Sequence, residues 1–166
     1  MKKLLNTALL LFAVLMTSCT APDAWELVSK DSNIRFVLEN KQENLSYSVF
    51  YKDGVAMEKS LLGLVMDNCE YGKNAQFVSA SAVKDISNAY QLKSGKKMNT
   101  TEECREQTFT FRTKEDKQFN LIVRIYNDGV AFRYELPGEA GQMHTIQTEH
   151  TEFAVPVNGK AWIHPY

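Results

Sequence analysis

The sequence predicts an all-β fold, an antiparallel sandwich or barrel. Three observations carry that expectation. Residues Gln118–Pro137, QFNLIVRIYNDGVAFRYELP, read as two alternating strands around an Asp128-Gly129 turn. Several other short runs alternate apolar and polar residues between turn signals. No window beyond the first segment sustains a 3.6-residue apolar period, so helix should be scarce.

The register of the central hairpin follows from its pattern. A type I′ loop at Asp128-Gly129 pairs Ile125 with Phe132, Val123 with Tyr134 and Leu121 with Leu136, six apolar side chains on one face. A three-residue loop would set Val123 against Arg133, turning side chains to the wrong face. The two-residue loop places Arg124 opposite Arg133 on the other face, a pairing that calls for a carboxylate such as Glu135 between them.

The remaining elements follow in order. Trp25–Val28 opens the folded part, and Lys30–Asn33 is a turn cluster. Ile34–Leu38 and Leu45–Tyr51 alternate, with Lys52-Asp53-Gly54 as a second turn. Val55–Glu58 leads to Leu61–Met66, a continuous apolar run that suits a strand covered on both faces. From Asp67 to Glu103 the pattern weakens, with strands at Gln76–Val83 and Ser87–Leu92 and loops at Ser94–Lys97 and Asn99–Thr101. Alternation resumes at Thr108–Arg112. After the hairpin come a loop at Glu139–Gly141, strands at His144–Thr148 and Glu152–Val157, a turn at Asn158-Gly159 and a strand-like Ala161–Ile163.

The first residues are an export signal rather than part of the fold. Met1-Lys2-Lys3 is a basic start, Leu4–Met16 an apolar core too short to span a membrane stably, and Thr17-Ser18 are small residues before Cys19. That arrangement resembles a bacterial lipobox. It implies a signal peptide over 1–18, a lipid on Cys19, a tether over 19–24 and a periplasmic or outer-membrane location. Without residues 1–18 the chain loses Lys2 and Lys3, leaving 17 basic against 20 acidic side chains, a formal charge of −3. Neither the charge nor any basic stripe suggests nucleic acid. One domain, residues 25–166, is expected, with roughly 70% of its unfolded surface hidden on folding. Cys69 and Cys104 are a possible disulfide, stabilising by roughly 4 kcal/mol. Their positions in polar segments equally allow two unpaired thiols.

Chemistry is hard to find in the residues. Glycoside hydrolysis needs two carboxyls at a defined separation. The candidates Glu102-Glu103, Glu115-Asp116, Glu149 and Glu152 sit in turns or at strand ends, where solvated carboxylates are the rule. His144, His150 and His164 match no common zinc spacing. Trp25, Trp162 and Tyr166 could stack on sugar rings, although packing is the commoner role of a Trp. No nucleophile elbow, phosphate loop or triad spacing appears.

The motifs themselves resemble a known family. LIVRIYNDGVAFRYELP resembles the signature near the end of the N-terminal domain of glycoside hydrolase family 97. VSKDSNIRFVLE, LSYSVFYKDGVAMEKSLLGLVM and KAWIHPY resemble that domain's opening strand pair, its next segment and its W-x-P exit, in the same order. The resemblance implies an antiparallel β-super-sandwich of galactose-mutarotase-like type. It also implies an exported α-glucosidase or α-galactosidase, a catalytic (β/α)8 barrel following in cis, and a smaller C-terminal β-domain. In that family the barrel supplies the catalytic carboxyls and most ligands of a calcium ion, and an N-terminal-domain glutamate beyond W-x-P adds another. No catalytic, cofactor or metal residue is therefore expected among these residues, and the chain is expected to be inactive alone. The alternative is a stand-alone surface lipoprotein that binds carbohydrate or protein.

Overall fold

The computed structural model describes residues 22–41, 43–96, 98–138 and 141–163. Residues 1–18, where an export signal is expected, and Cys19, His164 and Tyr166 lie outside the described residues. Every element among those described is a strand: β1 Ala24–Val28, β2 Ile34–Lys41, β3 Asn44–Tyr51, β4 Gly54–Leu61, β5 Leu64–Met66, β6 Cys69–Tyr71, β7 Gln76–Ala80, β8 Lys84–Gln91, β9 Asn99–Arg112, β10 Gln118–Ile125, β11 Val130–Glu135 and β12 Ile146–Glu149. They form three antiparallel sheets, in the orders β1-β2-β3-β4, β11-β10-β9-β7 with β8 also on β9, and β12-β5-β6.

Alternation places the core. Phe36 and Leu38 of β2, Leu45 and Tyr47 of β3, Phe109 and Phe111 of β9, and Phe119, Leu121, Val123 and Ile125 of β10 are buried between the sheets. Aromatic contacts join the layers: Trp25 of β1 meets Phe109 and Phe111, and Tyr47 meets Phe132 of β11 at 5.1 Å. Tyr71 packs edge-on against Phe119 at 5.5 Å, tying in the third sheet.

The central hairpin is present with its register moved by two. Ile125 pairs with Val130, Val123 with Phe132 and Leu121 with Tyr134. Tyr126 N–H donates to the Gly129 carbonyl at 2.8 Å, so Asn127-Asp128 forms the loop. Neither Asp128 nor Gly129 takes a positive φ, which removes the reason for placing the turn one residue later. A shift of two keeps parity, and the apolar face is unchanged. Arg124 now lies opposite Ala131 rather than Arg133, and the like-charge pair disappears. Arg124 instead meets Glu106 on its other side, Nε to Oε2 at 2.7 Å, while Asn120 takes Glu135 at 2.7 Å.

Other expectations are corrected. The apolar run Leu61–Met66 is two strands, because the chain turns at Leu62-Gly63 and moves from the first sheet to the third. Asn99–Thr101 belongs to β9, which runs fourteen residues and is paired on one edge by β8 and then β7. At the second turn Lys52, with φ 53°, and Asp53 form the loop, and Gly54 pairs with Tyr51. A two-residue loop with positive φ at both positions is Asp67-Asn68, between β5 and β6. Glu152–Val157 and Ala161–Ile163 are not strands, although 150–154 lies extended beside β4.

Candidate functional site

The stretch from His144 to Ala154 organises one face of the molecule. His150 N–H donates to the Gly63 carbonyl at 2.8 Å, Glu152 N–H to Leu61 at 2.9 Å, and Glu58 N–H to Ala154 at 2.8 Å. Side chains reinforce this seam. Glu152 accepts the Leu61 N–H at 3.0 Å, and Ser60 Oγ accepts the Ala154 N–H at 2.9 Å. The hydroxyls of Tyr47 and Tyr134 reach across to the Glu152 carbonyl and to Thr151 Oγ1, at 2.8 and 3.0 Å. Burial pushes the Tyr134 hydroxyl up to about 12, so it stays protonated at any ordinary pH.

Beside the seam is a cleft of about 360 Å³, with Leu61–Val65 and Gly72-Lys73 among its walls and Glu70, Glu149, His150 and Glu152 around them. Gly63 has no room for a side chain without pressing on His150 Cβ, and at Gly72, φ 96°, a Cβ would strike the Leu62 carbonyl. The fold thus brings together Glu149, His150 and Glu152, three of the residues singled out in the sequence. Such a mixture of acceptors, donors and apolar wall can hydrogen-bond a hydroxyl-rich ligand. Glu152 is already committed to the backbone of Leu61.

The other candidates are dispersed. Glu102 accepts from the Tyr126 hydroxyl and faces Arg124 at 3.8 Å; burial first, then that bond, pushes the Tyr126 hydroxyl up to about 12. Glu103 pairs with Lys30, and Asp116 with Arg112. Glu115 accepts from the Cys69 thiol at 3.3 Å, which holds its carboxyl below the usual range. His144 Nδ1 lies 2.6 Å from Asp67, whose carboxylate also takes the Thr145 N–H at 2.9 Å. The possible disulfide is not formed: Cys69 on β6 and Cys104 on β9 are buried free thiols on different sheets. Trp25 is a half-buried core residue, and Trp162 is exposed. Among the described residues no group of three His, Cys, Asp or Glu side chains is placed to hold a metal ion.

One run of exposed side chains is apolar, and of its residues only Trp162 was singled out in the sequence. Met143, Ile146, Phe153, Val155, Val157, Trp162 and Ile163 all expose large side chains along one stretch of chain. The alternation of Phe153, Val155 and Val157 was the visible signal.

Comparison with known proteins agrees with the sandwich. The family described as Glycosyl-hydrolase 97 N-terminal matches residues 27–166. A probable retaining alpha-galactosidase of Streptomyces bingchenggensis (strain BCW-1) is 29% identical over 170 residues, covering 96% of this chain and 26% of that protein. A glycoside hydrolase family 97 enzyme variant from Pseudoalteromonas sp. strain K8, solved in complex with panose, superposes with a TM-score of 0.70 at 25% identity, over 79% of this chain and 20% of that one. A beta-arabinopyranosidase crystal structure gives 0.73 at 28% identity, over 80% and 21%. The fold is the antiparallel, galactose-mutarotase-like super-sandwich that stands at the N-terminus of a class of glycoside hydrolases. The chain belongs to glycoside hydrolase family 97, as its N-terminal domain. It spans about a quarter of the length of the curated relative it matches.

Proposed function

We propose that this domain packs against a following catalytic (β/α)8 barrel and helps shape the active site of an exported enzyme acting on α-glucosides or α-galactosides. A lipid on Cys19 would hold that enzyme at the periplasmic or outer-membrane surface. One observation carries the packing: Met143, Val157 and Trp162 are 92%, 95% and 88% exposed, within a run of other uncovered apolar side chains. Monomeric proteins seldom leave so many large apolar side chains in water along one stretch of chain, and a partner domain would cover them. The carboxyl pair belongs to the barrel in this reading. The 166-residue chain should therefore release no nitrophenol from nitrophenyl α-glucosides or α-galactosides, and it should self-associate in size exclusion. Turnover by the pure chain would overturn the assignment of chemistry. A clean monomer at high concentration would overturn the role of the strip.

The second reading, a stand-alone carbohydrate-binding lipoprotein, rests on the cleft beside Glu149 and His150. Intact mass of the native protein from the membrane fraction separates the two. A mass near 148 residues plus acyl groups, counted from Cys19, would favour the binding module. A mass several times larger would favour the hydrolase.

A further inference from the structure

The seam and its apolar strip leave one element without a use, the ribbon of β8 and β9. From Lys84 opposite Glu106 to Gln91 opposite Asn99, β8 pairs with β9 at every residue. On the other edge β10 reaches no further than Arg105, opposite Ile125. Residues 86–91 and 99–104 therefore leave the sandwich as a two-stranded arm, buried at its base by Cys104 and mostly exposed beyond it, and the Leu92 N–H closes its tip onto the Met98 carbonyl at 2.7 Å. A two-stranded ribbon without a third strand or a packed face is marginal in water. Its six-residue pairing calls for a surface to lie on.

The tip says which kind of surface. Between Asp85 and Glu102 the charged residues are Lys93, Lys96 and Lys97, all of one sign in a chain whose net charge is negative. Exposed Tyr90, Leu92 and Met98 flank them. Among the described residues neither Lys93 nor Lys96 has a carboxylate partner. Direction adds to this. The arm leaves from the end of the sandwich that holds the β1–β2, β3–β4 and β10–β11 loops, linked by Lys52 N–H to the Asn33 carbonyl, Asp31 N–H to Asn127, and Lys30 to Glu103. The seam runs toward the same end, since His150, Glu152 and Ala154 meet Gly63, Leu61 and Glu58 in turn. The start of β1 lies at the opposite end, where Asp23 takes the Asn40 N–H.

We infer that the β8–β9 arm is a clasp that lies on an acidic surface of the catalytic domain. This rests on the packing role proposed above. The chain covers 26% of its curated relative, which leaves 74% of such a protein to supply that surface. A glycosidase centre is built on carboxylates, and its rim is a natural source of the negative charge the tip lacks.

The test uses the full-length protein. A water-soluble carbodiimide, which joins an ammonium to a carboxylate in ion-pair contact, should link Lys93 or Lys96 to Asp or Glu residues beyond position 166. Both lysines should acetylate several-fold more slowly than exposed Lys114. The double variant Lys93→Glu, Lys96→Glu should abolish the links and lower the melting temperature of the catalytic domain by a few degrees. Absence of links together with acetylation at the rate of Lys114 would overturn the clasp. If sandwich and barrel still unfold together, the clasp alone falls. If they unfold independently, the packing reading falls with it, and a native protein no longer than this chain would overturn both.

Discussion

The indole of Trp25 lies 4.4 Å from the ring of Phe77, tilted by 34°, and joins the first strand of one sheet to the edge strand of the other. Phe109 and Phe111 complete the contact, each at 5.9 Å. Both β1 and β7 are edge strands of only five residues, so side-chain packing has to hold what few backbone bonds can. Trp25→Ala should cost about 3 kcal/mol, the lower end for a large aromatic because the indole is only half-buried. Trp25→Phe should recover more than half of that. Urea denaturation of the three proteins measures both.

The glycines separate turn chemistry from close approach. Gly129 has an ordinary φ, and a Cβ built on it meets nothing within 4 Å. Gly129→Ala should change stability by less than about 0.5 kcal/mol. Gly72 sits at φ 96° against the Leu62 carbonyl, where the chain crosses between sheets. Gly72→Ala combines backbone strain with a backbone clash and should cost about 3 kcal/mol or more. Thermal melts of the pair decide it: equal losses would mean that Gly129 is needed for the hairpin after all.

Parity explains how much of this fold the sequence could show. Phe36, Leu38, Phe109, Phe111, Leu121 and Val123 announce their buried face because every second residue is apolar, and that signal survives a register error of two. Loop register has no such redundancy. The Asp-Gly pair at 128–129 carried the expected turn signal, yet neither residue takes a positive φ, while Asp67-Asn68, which carries no glycine, has it at both positions. The strand from Asn99 was hidden because its Thr, Asn and Glu side chains show no apolar alternation. The cleft was legible only as scattered letters. Glu149, His150 and Glu152 are neighbours in sequence, but Glu70 and Lys73 join them only through the β5–β6 hairpin.

Asp67 gives a pH dependence with a definite sign. The Thr145 N–H, and after it the His144 side chain, hold its carboxyl below the usual aspartate value near 3.9. A depressed folded-state value means that the contribution is present above the unfolded value and lost as pH falls through the folded one. Asp31, held low first by the Ser29 hydroxyl, behaves in the same direction. Acidification below the ordinary aspartate range should therefore loosen the start of the seam before the sandwich core. Hydrogen exchange reads this directly: the protection factor of the Thr145 amide should fall first, and Asp67→Ala should lower it already at neutral pH. Protection at Thr145 that stays level down to global unfolding would show that Asp67 does not hold the seam.

Ser46 and Ser60 put the hydrogen-bonding argument to its sharpest test. Both are fully buried on adjoining strands, β3 and β4. Ser60 Oγ donates to the Glu58 carbonyl at 2.9 Å and accepts the Ala154 N–H at 2.9 Å, so it ties the seam to the first sheet. Ser46 Oγ has no partner among the described residues. A buried hydroxyl without a partner keeps its desolvation cost and gains nothing in return, whereas removing a satisfied one strands whatever it bonded. Ser46→Ala should therefore stabilise the domain by about 1 kcal/mol, and Ser60→Ala should destabilise it by about 1–2 kcal/mol. The same substitution, a few ångströms apart in one sheet, is expected to move the denaturation midpoint in opposite directions. A loss at Ser46 comparable to that at Ser60 would mean that its hydroxyl finds a partner, a bound water being the simplest, and the argument from its isolation would fail.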